Sequence, residues 1–153
     1  MQISKHLSFR ECTYSPTAEK LGIVNDNPNL AVIENMKLLA NKVFEPVREH
    51  FKMPIRVTSV FRGLPLNQAI KGSITSQHCS GQAMDIDMSN TKGITNKDIF
   101  NYIRENLDFD QLIWEFGNDK EPDWVHVSYT KDKNRKQVLK ARKIKGRTHY
   151  ENF

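Results

Sequence analysis

In SQHCSGQAMDIDM, residues 76–88, a polar loop around Gly81 runs into strict alternation. Met84, Ile86 and Met88 share one face of a period-two segment, and Ala83, Asp85 and Asp87 share the other. The spacing predicts a strand with an apolar face turned to a core and two carboxylates turned away from it. Upstream the period changes. Leu30, Ile33, Met36, Ala40, Val43, Phe44, Val47 and Phe51 recur at three- and four-residue intervals after an Asn27-Pro28 start signal, which predicts one amphipathic helix. Pro46 lies inside it and removes a backbone donor, so a kink is expected there, with the apolar stripe continuing beyond.

The flanking segments complete the pattern. Ser8–Glu11 has the spacing of a capping box, and Ser15 before Pro16 marks a second short helix. IRVTSV (55–60) reads as a strand, and FRGLPLNQAIKGS (61–73) as a loop with a short helical piece. Thr95 is placed to cap a helix over 96–107, striped by Ile99, Ile103 and Leu107, and QLIWEF (111–116) and WVHVSY (124–129) read as two further strands. In the last of these Val125, Val127 and Tyr129 oppose Trp124, His126 and Ser128. Residues 133–150 add a terminal hairpin turning at Gly146. The order predicts an α+β fold, a small antiparallel sheet with helices on one side.

A chain of 153 residues fits one compact domain, here with a basic extension from about residue 131. Eight Phe, four Tyr and two Trp supply enough bulk for a core. No apolar run reaches the ~18 residues of a membrane helix, and MQISKHLSFREC lacks the apolar stretch of a secretory signal. Cys12 and Cys79 are too few for a disulfide scaffold and form no CxxC pair, so free thiols are expected. The net charge of +5 is uneven: residues 131–147 hold nine Lys or Arg against one Asp, or +8, leaving −3 elsewhere. Such a segment suits an anionic polymer, an acidic membrane surface, nucleic acid or plain solvent. Aromatic residues are sparse there, so nucleic acid ranks last among these partners.

Asp85 and His126 each stand on the polar face of a strand, and His78 precedes Asp85 by seven residues with Gly81 between them. A loop turning at Gly81 can bring the three together. Two imidazoles and a carboxylate are zinc donors, and three protein ligands leave a position open, the arrangement of a catalytic rather than a structural site. The competing possibility is a turn histidine, a solvated aspartate and a hydrogen-bonded strand histidine, which leaves the segregation of polar from apolar faces unexplained.

The segment SQHCSGQAMD fits the pattern SxHxxGxAxD, and DWVHVSY fits a downstream zinc-histidine strand, of the D-alanyl-D-alanine carboxypeptidase-like metallopeptidases, metallopeptidase family fifteen. The chain most resembles subfamily A, which includes bacteriophage and prophage cell-wall hydrolases, and the similarity runs over roughly residues 8–130 through NLAVIENMKLLANKVFEPVR, VTSVFRGLPLNQAIKGS and QLIWEF. The resemblance implies a Hedgehog/DD-peptidase-like fold and zinc ligands His78, Asp85 and His126. It also implies that Arg62 stabilises the polarised carbonyl and that Ser76 contacts substrate. The family's general base is typically a Glu three residues before the last ligand; here that position is Asp123, one methylene shorter, with Glu115 and Glu121 as alternatives. Strand parity points Asp123 away from His126 unless the chain bends near Pro122.

The remaining candidates have simpler expectations. Cys79 is left free by the pattern, and Asp87 supports the site or faces solvent. His6, His50 and His149 are surface histidines. Trp114 and Phe116 belong to core or groove wall, Trp124 is able to line the cleft, and Asn67 and Gly72 shape the loop after Arg62. The resemblance implies zinc-dependent hydrolysis of peptidoglycan stem peptides, as a D,D-carboxypeptidase or an endopeptidase. The expected protein is a monomer made in the cytoplasm without a classical signal peptide and reaching the wall on release. The alternative is a noncatalytic, zinc-containing wall-binding module.

Overall fold

The structure, a computed structural model, describes residues 1–153. Its centre is a six-stranded sheet of β3 (Val57–Ser59), β4 (Ala83–Ile86), β6 (Trp124–Ser128), β5 (Gln111–Glu115), β7 (Gln137–Ile144) and β8 (Arg147–Asn152), in that spatial order. A separate small hairpin, β1 (Gln2–Ser4) with β2 (Leu7–Ser8), precedes it. The fold is mixed α and β, as the order of periodicities requires. The sheet departs from the expected antiparallel form at one joint, because β5 and β7 run parallel. After β6 the chain crosses over residues 129–136 to reach the far edge of β5, so β7 starts from the same end as β5.

Helices pack on the apolar face. Met84 and Ile86 of β4, Leu112 and Trp114 of β5, and Val125 and Val127 of β6 join Met36, Val43, Phe44, Ile99, Phe100 and Ile103 in one buried cluster. Met84, Ile86, Val125 and Val127 are fully buried, and each such side chain contributes roughly 1.5–3 kcal/mol by leaving water. The predicted long helix is present as α3 (Leu30–Leu39), a π-helical turn (Ala40–Phe44) and α4 (Glu45–Phe51). The π turn answers Pro46. Widening the backbone there makes room for the ring and removes the demand for its missing donor, so the stripe is carried past without a break. The cap is Asn29, whose side chain accepts from the Val32 amide, rather than the Asn27-Pro28 pair.

The other starts match their signals. Ser8 and Glu11 form the capping box of α1 (Phe9–Thr13), Ser15 caps α2 (Pro16–Leu21), and Thr95 and Asp98 form a second box on α6 (Asn96–Asn106). The short helical piece is α5 (Leu64–Ala69). The terminal hairpin turns at Lys145 and Gly146, both at positive φ, and it is joined to the main sheet through β7. No helix is long and apolar enough to cross a membrane.

Candidate metal centre

The face of the sheet opposite the helices carries an open cleft of about 1000 Å³. Asp85 and His126 are register partners across β4 and β6, so strand pairing alone puts their side chains side by side on this face. His126 Nδ1 lies 3.0 Å from Asp85 Oδ1, and His78 Nε2 lies 3.3 Å from Asp85 Oδ2. One donor atom from each residue falls within 4.8 Å of the others.

His78 arrives from the loop. Its carbonyl accepts from the Arg62 and Gly81 amides at 3.0 and 3.2 Å, and the loop closes at Gly81, where φ is +72°. A Cβ there would also approach Met36 Cγ and the Val32 carbonyl at 2.8 Å, so both backbone sign and space require glycine. The ring is 3% exposed, and Nδ1 is 2.8 Å from the Val60 carbonyl. A carbonyl can only accept, so Nδ1 donates to it and Nε2 is the nitrogen that faces Asp85. Burial pushes the Asp85 carboxyl up, but the neighbouring His78 charge and hydrogen bonds from both imidazoles outweigh this and hold it well below the usual carboxylate range. Two nitrogen donors and an ionised carboxylate, one imidazole already fixed in tautomer, make a set that fits zinc.

Arg62 and Ser76 line the same cleft. Arg62 Nη1 donates to Asn67 Oδ1 at 3.1 Å, and buried Asn67 donates in turn to the Ser73 carbonyl at 3.0 Å. Gly72 makes that brace possible: any Cβ would overlap Asn67 Oδ1 and come within 3.0 Å of Arg62 Nη1. Ser76 Oγ accepts from the His78 amide at 3.3 Å, tying the hydroxyl to the backbone of the loop.

The three carboxylates considered for proton transfer have different surroundings. Glu121 accepts from the Asn96 and Lys97 amides at 2.6 and 3.2 Å and thereby caps α6. Asp123 is exposed and lines a separate groove with Phe116, Asp119 and Lys143; the structure does not bring it into the cleft. Phe116 and Gly117, both at positive φ, turn the chain out of β5, and the Asp123 amide returns to the Glu115 carbonyl at 2.9 Å before β6 begins at Trp124. Glu115 is 7% exposed, lines the cleft and accepts no hydrogen bond from the protein, with its oxygens open to the cleft rather than sealed. Burial raises its carboxyl to about 7; His126 pulls it down and the Asp85 charge adds to the rise. It stands two residues beyond Ile113, the register partner of His126, and so shares the face of the ligands.

Other candidates fall as their surroundings dictate. Trp124 and Phe116 line the cleft with their rings 5.4 Å apart, whereas Trp114 is core. Asp87 accepts from Asn96 and Ser89 away from the cleft. Cys12 and Cys79 are free thiols. His6 pairs with Glu45, and His50 stacks on Tyr102. Two elements had no signal in the one-dimensional pattern. Asp110, 3% exposed, accepts from Gln77 Nε2 at 2.9 Å and from Arg135 Nε and Nη2 at 2.9 and 2.7 Å, which holds its carboxyl down to about 2. Tyr150 lines the cleft from β8. Both depend on pairings between segments far apart in the chain.

The sequence profile of the family described as Peptidase M15 matches residues 5–128. No curated protein sequence matches the chain.

Proposed function

The chain belongs to the peptidase M15 family, a family of metallopeptidases, and on that premise we propose that it hydrolyses peptide bonds in peptidoglycan stem peptides. His78, Asp85 and His126 hold zinc in this proposal. The observation that carries it is the pairing of that cluster with an unpartnered, mostly buried Glu115 in one open cleft.

Zinc held there supplies polarisation of the scissile carbonyl and a more acidic water. Glu115 takes the proton of the attacking water and returns it to the leaving amine. Its burial in the cleft wall favours that traffic, because a carboxyl with a raised pKa is a better proton acceptor than one at its ordinary value. Arg62, steadied by Asn67, meets the negative charge developing on the carbonyl oxygen. Ser76 presents its hydroxyl to the peptide beside the first ligand. Asp123 is assigned no proton transfer. The proposal includes subfamily A and a phage or prophage lysin type, with the basic residues of 131–147 drawing the protein to an anionic envelope.

Incubating zinc-loaded protein with purified peptidoglycan and weighing the released fragments tests this. Loss of D-alanine alone identifies a carboxypeptidase, and separation of cross-linked or stem peptides identifies an endopeptidase. A chelator should abolish release and added zinc restore it. Full activity after complete metal removal would refute the zinc role, and tight wall binding with no fragments would identify a noncatalytic module.

A further inference from the structure

Residues 129–153 lie outside the family-matched segment, yet they build one wall of the cleft through Arg135, Gln137, Leu139 and Tyr150. The wall is anchored. Asp110 joins Gln77, next to His78, to Arg135 at the entrance to β7, and β7 then pairs with β5 along Gln111–Glu115.

One row of side chains crosses the sheet as Trp124, Glu115, Ala141 and Tyr150, each the register partner of the next. Neighbouring strands are ~4.8 Å apart, so Tyr150 starts roughly 10 Å from Glu115 with a single residue between them. That residue is alanine, fully buried, and its methyl leaves the way open for a long side chain to lean across. The Tyr150 hydroxyl makes no hydrogen bond within the protein and the side chain lines the cleft. Tyr150 stays 57% exposed, and the partial burial of its ring raises the phenol pKa, as do the charges of Glu115 and then Asp85.

We propose that Tyr150 is a substrate-binding residue, its O–H donating to a carbonyl or carboxylate oxygen of the peptide in the cleft, and that the C-terminal hairpin is a specificity wall. This rests on the peptidase function above. The two walls differ in kind: Lys71, Ser73 and Thr75 form a wholly polar side, while the hairpin side sets Leu139 and the Tyr150 ring beside Arg135 and Gln137. A peptide between them is thereby bound with one defined side toward the hairpin.

The test compares full-length Tyr150→Phe and Tyr150→Ala with wild type on soluble muropeptides released from purified peptidoglycan. Phe keeps the ring over Ala141 and removes only the donor. Its KM should rise about five- to tenfold, the worth of one neutral hydrogen bond, with kcat within about twofold and zinc affinity and Tm unchanged. Ala should raise KM further. Calorimetric titration of muropeptides into Glu115→Gln should show the same weakening when Phe replaces Tyr150. Wild-type KM in Tyr150→Phe overturns the proposal while leaving the peptidase function intact, as does a loss fully accounted for by weaker zinc binding or a lower Tm. A zinc-loaded wild type that neither binds nor cleaves muropeptides overturns the peptidase function and this inference with it.

Discussion

Strands β4 and β6 meet inside the sheet, flanked by β3 and β5, with apolar residues fully buried on one side and Asp85 and His126 on the other. Strands β7 and β8 meet at its edge, and β8 is exposed along its whole length. Both pairs feed one cleft. The central pair is clamped by neighbours on both sides and by helices beneath, which suits donor atoms whose positions must stay within a few tenths of an ångström of a metal's preference. The edge pair is secured on one side only, through β5 and the Asp110 brace. An edge hairpin tolerates substitution and adjustment, which suits the recognition of a ligand more than the holding of an ion.

The sharpest difference between the two regions is expected on metal binding. His126→Ala should abolish stoichiometric zinc, read by elemental analysis after dialysis, and reduce peptidoglycan hydrolysis to background. Tyr150→Ala should keep full zinc occupancy. Equal zinc loss in both would erase the distinction between centre and edge.

Next in size is the proton carrier. Glu115→Gln should lower kcat by roughly 10²–10⁴ with zinc retained, the usual range for a positioned acid–base group. Asp123→Asn, altering an exposed carboxylate in a separate groove, should stay within about twofold. The reverse result would move proton transfer out of the cleft wall and into the turn before β6.

Arg62 depends on a brace rather than on a strand. Arg62→Ala should cost ~10²–10³ in kcat, as loss of an oxyanion donor does. Gly72→Ala should displace Asn67 and lower kcat in the same direction by a smaller factor, with zinc affinity unchanged. Unchanged turnover in Gly72→Ala would show that Arg62 needs no such support.

The smallest effect concerns the root of the hairpin. Arg135 holds the Asp110 carboxyl down to about 2 from an ordinary value of 3.8, so the folded state favours the ionised form. The stabilisation is complete above about pH 4 and is lost as pH falls toward about 2. Asp110→Asn should lower Tm at pH 7 by several degrees and flatten the acid limb between those values. It should also raise amide exchange in β7 and β8 before β4 and β6. Uniform exchange across the sheet would show that the hairpin opens only with the whole fold.

Much of the central region was legible from local pattern. Met84, Ile86, Val125 and Val127 alternate with Asp85 and His126, and in a strand the parity of a residue is the side it faces. Helix starts at Ser8, Ser15 and Thr95 were equally readable, because a cap is an interaction over three residues. Pro46 was read as a kink; the helix instead absorbs it in a π turn and continues with its apolar stripe on the core.

The sequence by itself determined which residues were competent to bind a metal and on which strand face each stood, since side-chain chemistry and period-two parity are local properties. Only the tertiary structure set the surroundings of the three carboxylates apart. Glu121 went to a helix terminus, Asp123 to an exposed groove and Glu115 to the cleft wall, although all three lie within nine consecutive residues, 115–123. Tertiary pairing likewise brought Tyr150 level with Glu115 from 35 positions away. The physical reason is common to both: a carboxylate's proton affinity depends on what excludes water around it, a phenol's position on which strands pair beside it, and both surroundings are assembled from distant segments.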